Sequence, residues 1–365
     1  PDRIPLTRKQ NMFARRFRDL HPYVPGEQPT DREYIKLNAN ENPYPPAPAV
    51  REALDSFDIA LFRRYPDPDA HALRRGIAVM LGNGITEEMI IAGNGSDEIL
   101  SFVFYAFFDS DAPLLFPAHT YSFYPVYAGY YSIPFERIPL EKDFSINLDS
   151  YLERPSSGVI FANPNAPTGR YLSPAEIRRF LERYPADRVV VVDEAYIDFG
   201  GESVVSLIRE FRNLVVIRTY SKSFCFAGAR LGFAVADPEL IQALFTTKNS
   251  FNHFPVDALT QKIGLAACEN WPYYKAINSE LAQTRDWFSG ELRALGWEVV
   301  PSLANFVFVR KPGFTGDEVY RAIKAGGVLV RYFDHPGIEE FVRISIGTPD
   351  QMRTLLAIME GITRI

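Results

Sequence analysis

Val189-Val190-Val191-Val192-Asp193-Glu194-Ala195-Tyr196 is a run of four β-branched apolar residues that ends in two acids. Four consecutive valines suit a strand buried on both faces, because nothing in them alternates between a wet side and a dry one. Similar apolar runs recur at 88–92, 113–116, 159–162, 214–217 and 232–236, with helical patterning between them, as over 97–108. This alternation predicts an α/β fold with a parallel-rich sheet covered by helices on both faces. In such sheets ligands collect beyond the carboxyl ends of the strands. Asp193 therefore stands where a functional group would be placed.

The chain of 365 residues is long enough for one large domain and a smaller one. Three parts are expected: an N-terminal arm over 1–47, a large domain over 48–255 and a small C-terminal domain over 256–365. The last would hold a long helix (257–295), an element over 297–309, a helix, two short strands and a final helix from Pro349. In the arm, Phe13, Phe17 and Leu20 are spaced like one helical face beside Arg8, Lys9, Arg15, Arg16 and Arg18. That face is expected to pack on the small domain or on a partner subunit. A net charge of −6 argues against nucleic-acid or anionic-membrane partners. Cys225 and Cys268 have no spacing for a metal or a disulfide framework, which fits a reducing, cytoplasmic setting. No apolar run reaches the length of a membrane span, and the N-terminus has no signal-like apolar segment.

Three further stretches carry chemistry. In Thr219-Tyr220-Ser221-Lys222-Ser223-Phe224, with Arg230 eight residues on, an amine just past a strand is flanked by a hydroxyl and followed by a guanidinium. Such a set can hold a phosphorylated aldehyde, the amine forming a Schiff base while hydroxyl and guanidinium neutralise the phosphate. Gly93-Asn94-Gly95-Ser96-Asp97-Glu98 ends a strand and opens a helix, which suits a phosphate. It equally suits a plain turn with Ser96 or Asp97 as N-cap. Asn163-Pro164-Asn165-Ala166-Pro167-Thr168-Gly169 follows another strand, so Asn163 could reach a ligand, although an Asn/Pro/Gly cluster is also what any loop contains. Asp193 and Glu194 have no nearby His or third carboxylate to complete a metal site. Facing a pyridinium at about 4 Å, Asp193 would gain roughly 4 kcal/mol at an effective dielectric near 20. That would hold the ring nitrogen protonated and the ring an electron sink.

In this order and spacing, Asn-Pro-x-x-Pro-Thr-Gly, Asp-Glu-Ala-Tyr and Ser-Lys-x-Phe-x-x-Ala-Gly-x-Arg-x-Gly-Phe resemble the fold-type-I aminotransferases that use pyridoxal 5′-phosphate, most closely the histidinol-phosphate group. Leu20–Gly26, Leu37–Pro43, Arg63–Asp67 and Val342–Thr348 are similar to that family's other motifs, so the resemblance spans nearly the whole chain. It implies a large domain built on a mostly parallel seven-stranded sheet, a smaller α+β domain, and a homodimer with a shared active site.

Carried over by position, Lys222 would bind the cofactor aldehyde and shuttle the substrate proton. Asp193 would pair with the pyridinium, Asn163 and Tyr196 with the phenolic oxygen, and Tyr121 would stack on the ring. Gly95, Ser96, Asp97, Ser221 and Arg230 would hold the phosphate, joined by Tyr65 from the other subunit. Tyr23, Asn40, Arg331 and Arg343 would meet the substrate, the two guanidiniums suiting a phosphate dianion. The implied reaction, in histidine biosynthesis, moves the amino group of L-histidinol phosphate to 2-oxoglutarate. An aromatic-amino-acid aminotransferase and a threonine-phosphate-type decarboxylase are the alternatives on the same fold. A cofactor-binding regulator would join this fold to an N-terminal DNA-binding domain, for which residues 1–45 leave no room. His119, the Phe224-Cys225-Phe226 run and Phe251-Asn252-His253-Phe254 depart from the family pattern and bear on donor preference.

Overall fold

A computed structural model describes residues 12, 14–17, 20–23, 26–109 and 111–363. Of the amphipathic arm, Phe13, Arg8, Lys9 and Arg18 lie outside the described residues, and Arg15–Phe17 form a single 3₁₀ turn. A short strand β1 (Ile35–Lys36) precedes the main sheet. The main sheet comprises β2 (Ile90–Gly93), β3 (Leu114–Pro117), β4 (Phe135–Ile138), β5 (Gly158–Ala162), β6 (Val189–Asp193), β7 (Leu214–Thr219) and β8 (Gly232–Ala236). Its order is β2-β8-β7-β6-β5-β3-β4, parallel except for β8, which runs antiparallel between β2 and β7. The α/β class and the seven-stranded, mostly parallel sheet are as expected. Every residue of β5 and β7 is buried, as their unbroken apolar runs require. The edge strand β4, Phe-Glu-Arg-Ile, went unrecognised because three of its four residues are not buried and it carries two charges.

The register of β8 brings the functional pieces together. Gly232 pairs with Gly93 on one side and with Thr219 on the other. The exits of β2 and β7 and the entry to β8 therefore meet at one edge, beside the exit of β6. A Cβ on Gly232 would lie 2.4 Å from the Ser96 amide nitrogen, so only glycine lets the helix Gly95–Phe107 start this close to the strand.

A second, antiparallel sheet has the order β12 (Arg331–Tyr332), β13 (Val342–Ser345), β10 (Phe306–Arg310) and β9 (Glu298–Val300). β11 (Val328–Leu329) pairs in parallel with β1 as a separate two-stranded sheet, tying the segment after residue 34 to the chain just before β12. The stretch expected as one helix over 257–295 is two, Ala258–Glu269 and Trp271–Ala294, because Pro272 has no amide with which to continue the first. The first helix belongs with the large unit, not with a C-terminal one beginning at 256. Its Ala267 and Cys268 lie in the apolar cluster of the main sheet, and Leu265 would meet any Cβ placed on Gly76 at 2.4 Å. The second helix joins both cores, with Tyr274 and Ile277 in the main cluster and Leu281, Phe288 and Leu292 in the cluster of the small sheet.

Buried Arg285, on that helix, donates to the carbonyls of Phe199 at 2.8 Å and Ala304 at 3.0 Å. Removing it strands both acceptors, at about 1–3 kcal/mol for each buried group left unpaired. Arg285→Met should therefore lower the urea-denaturation stability by about 2–4 kcal/mol; an unchanged midpoint would show that those carbonyls find other partners.

Candidate active site

Lys222 stands in the single helical turn Tyr220–Ser223 directly after β7, where the Thr219 hydroxyl caps the turn by accepting from the Ser221 amide at 3.1 Å. Its Nζ donates to the Ala39 carbonyl at 2.9 Å and lies 5.9 Å from the centre of the Tyr196 ring. Burial, aided by the positive field of Arg343, lowers the amine to about 8. Near neutral pH a useful fraction of Lys222 is thus uncharged and nucleophilic.

Asp193 closes β6 and is buried. One carboxylate oxygen accepts from the Tyr124 hydroxyl at 2.8 Å and the other from the Ala195 amide at 3.1 Å. Burial still pushes its pKa up to about 6, so the anion gains most from a cation placed against it. Across the same cavity, of about 230 Å³, lie Ser96, Asp97, Tyr121, Thr219, Ser221 and Arg230. Arg230 donates to the Ser221 hydroxyl and to the Asp97 carboxylate, each at 3.1 Å, and Tyr121 donates to the other Asp97 oxygen at 2.9 Å. Gly95 has φ +80°, and a Cβ there would sit 2.5 Å from the Arg230 guanidinium. Helix N-terminus, hydroxyls and guanidinium thus converge as a cradle for an anion, with an amine and a buried carboxylate at the other end.

A second cavity of about 260 Å³ shares Lys222, Tyr121 and Tyr196 with the first, and Tyr23, Asn40, Arg331 and Arg343 line it as well. Arg331 and Arg343 are cross-strand partners on β12 and β13, which places the two guanidiniums side by side. Arg343 donates to the Asn38 carbonyl at 3.1 Å, and its Nε is buried with no hydrogen-bond partner among the described residues. Tyr23 packs on Phe123, with ring centres 5.1 Å apart.

Two expectations need revision. Asn163 lines neither cavity. Its amide nitrogen donates to the Leu172 carbonyl at 2.9 Å and its oxygen accepts from the Leu172 amide at 2.8 Å, so it closes the loop. Asn165 is likewise engaged with His119, Thr120 and Thr168, and Ala166 forms the cavity wall instead. The aromatic departures lie outside both cavities of their own chain. Phe224 and Phe226 are buried against Tyr220, and neither Phe251 nor Phe254 lines either of these cavities. Exposed Tyr65 stacks on Phe254 and lines neither cavity of its own chain. Sequence reasoning missed Tyr124, Ala39, Glu41 and Thr219. Tyr124 meets Asp193 across 69 positions, and Ala39 acts through its backbone, so neither leaves a local signal.

The family model for aminotransferase class I and II matches residues 32–359. The chain belongs to that family. It is 53% identical over 351 residues to a histidinol-phosphate aminotransferase of Syntrophus aciditrophicus, covering 95% of this chain and 97% of the relative. It is 46% identical over 349 residues to histidinol-phosphate aminotransferase 2 of Dechloromonas aromatica, with the same coverage of each chain. The crystal structure of the Sinorhizobium meliloti histidinol-phosphate aminotransferase in complex with pyridoxal-5′-phosphate superposes with a TM-score of 0.80. At 24% identity over 91% of this chain and 93% of that one, it establishes the shared fold.

Like the family as a whole, this aminotransferase uses pyridoxal 5′-phosphate. The residues present fit that group. The anion cradle suits its phosphate, the buried Asp193 carboxylate its ring nitrogen, and the Lys222 amine its aldehyde. Because the amine is reactive only when neutral, condensation of the apoprotein with the cofactor should speed up with rising pH through a midpoint near 8. Stopped-flow absorbance on mixing the two reads this directly. A midpoint near 10.5, the ordinary lysine value, would contradict the burial described for Lys222.

Proposed function

We propose that the enzyme moves the amino group of L-histidinol phosphate to 2-oxoglutarate in a ping-pong cycle that serves histidine biosynthesis. The observation that carries this reading is the Arg331–Arg343 pair, set side by side across β12 and β13 in the cavity that also holds Lys222. Two guanidiniums match a phosphate dianion better than a single carboxylate. The buried Nε of Arg343, which has no hydrogen-bond partner among the described residues, supplies a donor still to be used. The names of the two relatives favour the same donor.

Bound pyridoxal phosphate supplies an electron sink and a carrier for the amino group. Lys222 would supply the amine for the cofactor aldehyde, and once the donor's own amine has displaced it, its free Nζ would take the proton from the donor α-carbon. Asp193 keeps the ring nitrogen protonated, Tyr196 donates to the phenolic oxygen, and Tyr121 covers the ring face. Arg230, Ser221, Ser96 and the free amides at the start of the helix Gly95–Phe107 hold the cofactor phosphate. Arg331 and Arg343, with Tyr23, fix the donor's phosphate and so orient its α-carbon.

The active unit in this reading is a homodimer, in which exposed Tyr65 completes the phosphate site of the partner subunit. The boundary between the large and small domains falls inside the helix Trp271–Ala294, and the enzyme works in the cytoplasm. No helix among the described residues is long and apolar enough to cross a membrane.

Lys222→Ala should abolish turnover, and retention of normal turnover would refute the mechanism. Arg331→Met removes a charge-assisted contact of about 1.5–3 kcal/mol. It should lower kcat/KM for L-histidinol phosphate roughly 10- to 150-fold, with little change for phenylalanine. Equal losses for both donors, or a preference for phenylalanine in the unmodified enzyme, would favour an aromatic-amino-acid aminotransferase.

A further inference from the structure

With Asn163 and Asn165 committed to their loops, Tyr196 is the side chain left at the cavity to donate to the cofactor's phenolic oxygen. A tyrosine hydroxyl can donate or accept, so its usefulness depends on what fixes its proton. We propose that Ser345, through Asn40, is a positioning residue that forces the Tyr196 hydroxyl to donate into the cofactor cavity. This inference rests on the placement of the cofactor given above.

One chain of donors and acceptors fixes the direction of that proton. Asn40 is buried, with φ +54°, and its backbone amide donates to the Ser345 hydroxyl oxygen at 2.8 Å. That hydroxyl therefore has its single proton left to give, and it gives it to Asn40 Oδ1 at 3.0 Å. With Oδ1 assigned as acceptor, the other end of the amide must be Nδ2, which donates to the Tyr196 oxygen at 3.0 Å. A hydroxyl that already accepts from an amide directs its own proton elsewhere, here toward the cavity that Tyr196 lines. Each bond polarises the next and strengthens the final donor.

The frame around the relay is rigid. Ser345 closes β13, and its amide is held by the Leu37 carbonyl at 2.9 Å. The Asn305 side chain fixes the Asn40 carbonyl at 3.0 Å, and Phe306 meets the Tyr196 ring edge-on with centres 5.1 Å apart. The charged and titratable groups facing Tyr196 are Arg343 from β13, Asp193 from β6, Tyr23 from the arm, Tyr121 and Tyr124 after β3, and Lys222 after β7. No hydrogen bond from any of them to its hydroxyl is found among the described residues, so the proton direction is left to Asn40. The serine of the Val342–Thr348 motif thereby gains a role that substrate binding by Arg343 does not explain.

A donor to the phenolic oxygen favours its ionised form, so the test is the pKa of the bound cofactor chromophore, from absorbance titration of the holoprotein without substrate. Ser345→Ala, which frees the Asn40 amide to turn over, should raise that pKa by about half a unit to one unit. Asn40→Asp offers Tyr196 only acceptors and should raise it at least as much, and it tests the same relay if Ser345→Ala fails to fold. Ser345→Thr keeps the hydroxyl and should titrate like the unmodified protein. In a Tyr196→Phe background, itself shifted upward, Ser345→Ala should add nothing. An unshifted Ser345→Ala titration, or an equal shift with and without the Tyr196 hydroxyl, would overturn the relay. An unshifted Tyr196→Phe would overturn the cofactor placement itself, and with it the premise of the relay.

Discussion

The pairing of Gly232 with both Gly93 and Thr219 is the contact on which the site depends. An antiparallel strand inserted between two parallel ones brings an entry and two exits to the same edge of the sheet. Because Gly232 carries no Cβ, the helix at Gly95 can begin against it, and Arg230, two residues before the strand, reaches Asp97 and Ser221. Lys222 follows from β7 at the same edge. One register thus gathers the anion cradle and the amine, and a slip of β8 by one residue would take Gly232 away from the helix start.

A second constraint comes from residues 38–40, which connect the small sheet to the cavity. Three of their carbonyls are used: Asn38 receives Arg343, Ala39 receives Lys222, and Asn40 receives Asn305. The segment therefore positions the Arg343 guanidinium and the Lys222 amine with one stretch of backbone. Its own place is set by the β1–β11 pairing and by Ser345. Electrostatics complete the site. Burial pushes the amine down to about 8 and the Asp193 carboxylate up to about 6, which narrows the gap between them.

Much of this was legible in the sequence, for a definite reason. The buried strands announce themselves as unbroken Val/Ile runs, and the residues at their ends are the ones the fold must deliver to a common edge. What stayed hidden depends on distant parts of the chain. β4 is an edge strand with charges, so it lacks the apolar run. The helix Ala258–Glu269 reads as part of a C-terminal unit until its contact with Gly76 shows its allegiance. Asn163 matches a motif, yet its amide is spent on Leu172, nine residues on, and a pattern of residue types does not show where a side chain's hydrogen bonds go. Tyr124, Ala39 and the Ser345–Asn40–Tyr196 relay depend on pairings across 69 to 305 positions.

The central claim is that one cavity joins the cofactor site of an aminotransferase to a seat for a phosphorylated donor. Rapid mixing of the holoprotein with L-histidinol phosphate, without any amino acceptor, tests it most directly by absorbance. The yellow band of the lysine-bound cofactor should give way to that of its aminated form in a single turnover at low donor concentration. A yellow protein that ignores L-histidinol phosphate yet converts with phenylalanine would contradict the assignment of Arg331 and Arg343 to a phosphate.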